Sequence, residues 1–237
     1  MAQSNLFMGR KNKLKKFREL LGYPNVYENY DPKNPRLLVG PDQEVDMKGR
    51  WAEGHFQNTQ PIVLELACGA GEYTVALAEA YPEQNFIGVD IKGARIWQGA
   101  TRALQLNLKN AAFLRTRIEQ IALFFNPGEV SEIWITFPDP FLRESKEMKR
   151  LTSSRFLDTY QHIIRKGSII HLKTDDTTLY EFTLETLKSY PGAKIFYHND
   201  DIYAAPLAFP ELEYKTRYEK EHLEDGRKIK YVRFSIN

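Results

Sequence analysis

Apolar positions along the chain fall into short blocks separated by polar and glycine-rich breaks. Ile62–Leu66 is apolar except for Glu65 and reads as a buried strand. Cys68–Gly71 follows as a tight turn, and Glu72–Tyr81 has the spacing of a helix that turns Val75, Ala76 and Leu77 inward. Asn85–Asp90 is a second strand and Gly93–Leu106 a second helix. Further strands are expected at Ala112–Leu114, Glu132–Phe137 and Ser168–Lys173, with helices at Phe156–Arg165 and Thr177–Ser189. Strands and helices alternating at this spacing imply a parallel sheet covered on both faces. The end of the chain breaks the alternation. Lys194–His198 and Ile229–Ser235 read as strands separated by a long charged insertion, so a final antiparallel pair is expected. The expected fold is α/β, a Rossmann-like sheet, mostly parallel, finished by a C-terminal antiparallel hairpin.

The first sixty residues read differently. Residues 22–61 hold five of the twelve prolines and many Asn, Asp and Gly residues, and are expected to be irregular. Before them, Leu14, Phe17, Leu20 and Leu21 form one apolar stripe at helical spacing, which predicts a helix that docks on the body. The expected organisation is a basic arm and lead-in over 1–60, then the main domain over 61–237. The net charge of +2 conceals an uneven distribution. Arg10, Lys11, Lys13, Lys15, Lys16 and Arg18 place six cations and no acid in residues 1–18, leaving the remainder at −4. A polyanionic partner accounts for that arm, and so does a solvated tail.

Length, apolar runs and cysteine usage narrow the class. A chain of 237 residues suits one large domain with an extension. No apolar run is long enough to span a bilayer, and the N-terminal stretch lacks the apolar core of a secretory signal. The single cysteine, Cys68, allows no intrachain disulfide and fits a reducing, cytoplasmic compartment. The five histidines show no metal-ligand spacing, so no metal is expected.

The first strand runs into Glu65-Leu66-Ala67-Cys68-Gly69-Ala70-Gly71 and then a helix. Glycine there lets the backbone approach a ligand, and the helix start offers free N–H groups. Asp90 ends the next strand, 21 positions after Gly69, the spacing of a ribose-binding acid. A nicotinamide site calls for a third glycine, but Thr74 stands in its place, and Glu65 would repel a pyrophosphate. A sulfonium ligand with an ammonium group and no phosphate removes that objection. Glu65 therefore favours S-adenosylmethionine over NAD, the alternative being a Glu65 that only hydrogen-bonds loop amides. Cys68 has no nearby histidine to activate it and reads as core packing.

Strand Glu132–Phe137 ends in Phe137-Pro138-Asp139-Pro140-Phe141. Ligands of open α/β sheets bind beyond the carboxyl ends of the strands, so Asp139 is expected in the cleft, held by a proline on each side. Arg143, Lys146, Lys149 and Arg150 follow, then Leu151-Thr152-Ser153-Ser154 as a helix entry. Lys173-Thr174-Asp175-Asp176 lands on the same edge after its own strand.

The run FPDPFLRESKEMKRLT resembles the signature of bacterial tRNA (guanine-N(7)-)-methyltransferases. ELACGAGEY, HLKTDDTTLYEFT and Thr216-Arg217-Tyr218-Glu219 agree with it in order, so the resemblance covers residues 62–236. It implies a class I methyltransferase fold, S-adenosylmethionine as cofactor, tRNA as partner, and a guanine of the variable loop as target. By the same resemblance Glu65, Gly69, Gly71 and Asp90 bind the cofactor, and Asp139 is the active-site aspartate. Arg143, Asp175, Thr216, Arg217, Tyr218 and Glu219 contact the tRNA. The pattern departs at Ala67, where the family's loop begins with glycine, and at Arg143, where lysine is usual. In the adenine-contacting stretch, Arg117-Ile118-Glu119 stands where an acid followed by alanine is usual, so Glu119 is the nearest carboxylate. A methyltransferase acting on another RNA or a small molecule, and an RNA-binding module with a vestigial methyltransferase site, remain alternatives. The oligomeric state, monomer or homodimer, is open.

Overall fold

Alternation along the central strands builds a core on each face of one sheet. The computed structural model describes residues 13–236, which places Arg10 and Lys11 of the basic arm outside the described residues. In β4 (Ile62–Leu66), Ile62, Leu64 and Leu66 enter one core and Val63 the other. In β5 (Asn85–Asp90), Ile87 and Val89 enter the first and Phe86 the second. The first core is closed by Phe156, Leu157 and Tyr160 of α4 (Ser154–Gln161) and by Leu179 and Leu187 of α5 (Thr177–Ser189). The second is closed by Tyr73, Val75 and Leu77 of α2 (Glu72–Ala80), by Ile96, Ala100 and Ala103 of α3 (Gly93–Gln105), and by Leu20 of the helix α1 over 13–20.

The remaining strands are β1 (Val26–Glu28), β2 (Leu38–Val39), β3 (Gln43–Glu44), β6 (Ala111–Arg115), β7 (Val130–Thr136), β8 (Ile164–Thr174), β9 (Lys194–Asn199) and β10 (Lys230–Ser235). They form one sheet in the order β3-β2-β1-β6-β5-β4-β7-β8-β10-β9. The run from β1 to β8 is parallel. β10 pairs antiparallel with both β8 and β9, the expected C-terminal hairpin. Strand order reverses between β4 and β7, so the loops leaving their C-terminal ends diverge and open a crevice.

Two local expectations are corrected. Residues 22–61 are not simply irregular: they supply β1–β3 and a π-helical turn, Trp51–Phe56. β1 pairs parallel with β6, and Trp51 is fully buried with its Nε1–H donating to Phe124 O at 2.8 Å. The helix expected over Phe156–Arg165 stops at Gln161, because Ile164 is drawn into β8 opposite Val130, whose N–H donates to Ile163 O. The final insertion carries a helix of its own, α6 (Arg217–Glu224).

Candidate active site

The loops after β4, β5, β6 and β7 converge on one cleft of about 410 Å³. Ala67, Asp90, Ile91, Lys92, Arg95, Thr116, Arg117, Ile118, Glu119, Phe137, Asp139 and Lys149 are among its lining residues. A smaller space of about 60 Å³ adjoins it, sharing Ala67, Arg95 and Phe137 and adding Gly69, Glu72, Thr136, Thr216 and Tyr218. Asp90, Glu119 and Asp139 thus come together, with the glycine loop and the start of α6 at one side.

The glycine loop is held from two directions. Gly69 N–H donates to Asp90 Oδ2 at 3.0 Å, and Asp90 Oδ1 accepts from Lys92 N–H at 2.7 Å. At Gly71 (φ 70°) an added Cβ would lie 2.5 Å from the Phe113 ring and 3.2 Å from Gly99 Cα, so only glycine lets α2 start there. Ala67 adopts φ 58°, a strain of about 1 kcal/mol that glycine would relieve.

Glu65 sits beneath this loop and is nearly inaccessible. Its Oε2 accepts from both the N–H and the hydroxyl of Thr74, and its Oε1 from Thr136 Oγ1 at 2.6 Å. It therefore does support the loop backbone, and the structure does not place it among the lining residues of the cleft. Burial pushes its carboxyl up to about 7, against the opposing pull of the Thr136 and Thr74 hydrogen bonds, with the Asp90 charge adding to the rise. Cys68 is buried, and burial with the nearby Glu65 and Asp90 charges raises its thiol, which suits packing and not nucleophilic attack.

Asp139 is exposed at the cleft, and its Oδ1 accepts from Phe141 N–H at 3.0 Å. Phe137 (φ 47°) and Phe141 (φ 43°) flank it, both bulky residues in the left-handed region. Two such residues around one aspartate cost about 1–3 kcal/mol each, and stored strain of that kind gathers at functional sites. Arg150 holds the strained loop: Nε donates to Pro140 O at 2.9 Å and Nη2 to Phe141 O at 3.2 Å, while the guanidinium rests on Phe182. Although Arg150 follows Arg143, Lys146 and Lys149 in one basic run, it is buried and clamps the loop. Arg143, Lys146 and Lys149 remain exposed beside it.

The KTDD and TRYE segments meet, although not as a row of free side chains. Lys173 Nζ lies 2.8 Å from Glu219 Oε1, both side chains fully buried, and also donates to Leu212 O and Tyr214 O. Tyr203 O–H donates to the same Glu219 oxygen at 2.7 Å. Burial pulls Lys173 down from the usual lysine value, and the Glu219 charge opposes that. Asp175 is paired with Arg227 at 2.8 Å and lies 3.4 Å from His222. Thr216 caps α6 by accepting from Glu219 N–H, and Arg217 N–H donates to Glu72 Oε2 at 2.7 Å, tying α6 to the start of α2. Tyr218 and the Arg217 side chain are exposed. Arg95, which lines both spaces, was not singled out by sequence: one arginine in a helix carries no distinguishing spacing.

A family model described as "Putative methyltransferase" matches residues 59–232. The tRNA (guanine-N(7)-)-methyltransferase of Christiangramia forsetii is 46% identical over 230 residues, 97% of this chain and 100% of the relative. The enzyme of the same name from Bacteroides fragilis is 46% identical over 95% of this chain and 86% of its own length. The chain belongs to the tRNA (guanine-N(7)-)-methyltransferase family. Among solved structures, the 16S rRNA methyltransferase KamB superposes with a TM-score of 0.59 at 14% identity, covering 83% of this chain and 97% of that one. At that identity the likeness concerns the fold, which is the class I methyltransferase sheet.

The cleft also fits the cofactor class on its own chemistry. It joins an acceptor-only carboxylate, Asp90, to apolar walls at Ile91 and Ile118, the needs of a ribose diol and an adenine face. Among the described residues, no group of three or more His, Cys, Asp or Glu is placed to hold a metal ion, and no helix is long and apolar enough to cross a membrane.

Proposed function

We propose that this chain methylates N7 of a guanine in tRNA, a guanine of the variable loop, with S-adenosylmethionine as donor. The observation that carries the reading is the placement of Asp139 and Asp90 in one cleft of a family member. When bound, S-adenosylmethionine supplies an electrophilic methyl group on a sulfonium. Asp90 would hold the ribose hydroxyls, and Gly69 and Gly71 would let the backbone approach. Glu65 would favour the ammonium group from beneath the loop, and Glu119 is the carboxylate available to the adenine.

Guanine N7 carries a lone pair and no proton, so attack on the methyl carbon needs no general base. The C–S bond breaks as the N–C bond forms, the sulfur leaves as a neutral thioether, and the base becomes cationic. The site has to orient the base and stabilise that charge. Asp139 does both, accepting from the guanine N–H edge and attracting the developing cation, on a loop that Arg150 keeps rigid. Arg143, Lys146 and Lys149 take phosphates, since structured RNA is gripped through its backbone. Arg217 and Tyr218 present the exposed start of α6 to the RNA, with Thr216 capping that helix beside them. Glu219 and Asp175 act by holding that helix in place through Lys173, Arg227 and His222. A cytoplasmic enzyme belongs to the same reading.

The test uses labelled cofactor and unmodified tRNA, followed by mapping of the methylated base. Asp139→Asn is expected to lower turnover by about 100-fold, the scale of a lost electrostatic stabiliser, with S-adenosylhomocysteine affinity within threefold of the parent. Turnover within a few-fold of the parent would remove Asp139 from catalysis, and a product methylated at another atom would remove the reaction itself.

A further inference from the structure

Residues 13–30 lie outside the region matched by the family model, yet they pack on α3 and on Arg115, next to elements that carry cleft residues. Gly93, the first residue of α3, faces Phe17 of α1 so closely that an added Cβ would lie 2.8 Å from the Phe17 ring. The neighbouring atoms belong to Arg115, at 3.1 and 3.2 Å from the same point. Arg115 ends β6 directly opposite Asp90 and stands one residue before cleft-lining Thr116. Its guanidinium lies over Phe17 at 5.0 Å and over Tyr30 at 5.3 Å, and its Nη1 pairs with buried Glu28 at 2.9 Å. Its Nε donates to Ile91 O at 3.3 Å.

Asp90, Ile91 and Lys92 all line the cleft, so Arg115 bridges the α1 side of the molecule to the backbone of a cleft wall. α1 is itself anchored along α3. Trp97 Nε1–H donates to Glu19 Oε2 at 2.7 Å, Lys16 lies over Trp97 at 4.6 Å, and Tyr23 bonds the Thr101 hydroxyl at 2.9 Å. The anchor is too specific for a tail that only carries charge. Gly93 has no side chain where Phe17 seats, and Arg115 lays its guanidinium face on Phe17 and Tyr30 while its Nε holds the Ile91 carbonyl of the cleft loop.

We propose that Phe17 and Arg115 are positioning residues of the S-adenosylmethionine site, holding the Asp90–Lys92 loop in the form that receives the ribose and adenine. This rests on the cofactor assignment above. Binding of S-adenosylhomocysteine to the full chain is measured by calorimetry, and steady-state constants are measured for both substrates. Phe17→Ala raises the Kd for S-adenosylhomocysteine and the KM for S-adenosylmethionine about tenfold, equivalent to about 1.4 kcal/mol. Its kcat at saturating cofactor and its KM for tRNA stay within twofold, and Phe17→Tyr recovers binding to within threefold.

Gly93→Ala probes the contact from the other side. It weakens binding in the parent, where the methyl meets the ring, and adds less in the Phe17→Ala background, where the ring contact is gone and only the Arg115 side chain, free to shift into the vacated space, stays near. That cycle keeps the test decisive if Phe17→Ala reduces the folded fraction. Binding by Phe17→Ala within twofold of the parent overturns the proposal. A raised KM for tRNA with unchanged binding of S-adenosylhomocysteine also overturns it, by placing Phe17 on the RNA side. Failure of the parent chain to bind S-adenosylhomocysteine at all would instead overturn the cofactor assignment.

Discussion

Replacing Glu65 with glutamine tests whether a buried, half-protonated carboxyl supports the glycine loop. The amide can keep its oxygen toward Thr74 N–H and offer its N–H to the Thr136 hydroxyl, so the hydrogen-bond frame survives without the charge. In the parent, burial raises this carboxyl from 4.5 to about 7. A raised folded value means the folded chain binds the proton more tightly than the unfolded one. The stabilisation is complete below about pH 4.5 and is lost as pH rises through about 7.

At about 1.4 kcal/mol per tenfold change in proton affinity, the whole effect is about 3 kcal/mol, most of which falls between about pH 5 and about pH 8.5. Glu65→Gln has no such term. Relative to the parent it should therefore gain about 2–3 kcal/mol on going from the lower to the higher pH, or about 5–10 °C in Tm for a chain of this size. Urea denaturation of both proteins at the two pH values reads the difference, which cancels the titration of carboxylates that do not interact with Glu65. A gap between them that stays constant within about 0.5 kcal/mol would refute burial as the dominant influence on Glu65.

Further expectations follow from the same geometry. Asp90→Ala should weaken S-adenosylmethionine and S-adenosylhomocysteine alike by about 1.5–3 kcal/mol, because the ribose is common to both; calorimetry showing selective loss of one would contradict a diol contact. Gly71→Ala should cost about 3 kcal/mol in urea denaturation, from left-handed strain plus overlap with Phe113, whereas Gly69→Ala should cost about 1. Equal losses would mean the Phe113 contact is relaxed in solution, since an added Cβ at Gly69 meets nothing nearer than 4.0 Å. Lys173→Met alone should destabilise the chain by about 3–5 kcal/mol by stranding the Glu219 carboxylate, and adding Glu219→Leu should restore most of it. If the double variant is no more stable than the single one, the pair is not coupled.

The elements from β4 to α3 were legible almost residue by residue, because each is an unbroken apolar block or an amphipathic run closed by a turn residue. Ile62–Leu66 and Asn85–Asp90 match the observed strands at both ends. The lead-in was not legible, for a physical reason. Val26–Glu28 is three residues long, and its strand character comes from pairing with β6, nearly ninety positions away along the chain. Trp51 is likewise buried by a hydrogen bond to Phe124 O that no local pattern announces. At the other junction, Ile163 and Ile164 continue a helical apolar spacing, and only pairing with β7 turns the chain into strand from Ile164 onward.

Charge type was the least reliable guide to exposure, and the acids show why. Asp90, Glu119 and Asp139 follow the last residues of β5, β6 and β7 or stand at them, where the chain leaves the sheet and side chains reach the crevice. Glu65 lies inside β4, buried with both oxygens accepting hydrogen bonds, and Glu219 lies inside α6, buried with its Oε1 held by Lys173 and Tyr203. The same distinction separates Arg143 and Lys149, exposed around the PDP loop, from Arg150, which turns inward to the loop carbonyls. A buried charge is tolerated only when paired or hydrogen-bonded, so each buried member here fixes an element that carries exposed ones. Glu65 fixes the start of α2, Arg150 fixes the loop bearing Asp139, and the Lys173–Glu219 pair fixes the helix bearing Arg217 and Tyr218. The acids and bases read from sequence as one site are thus two layers, an exposed layer facing the cleft and a buried layer that sets its positions.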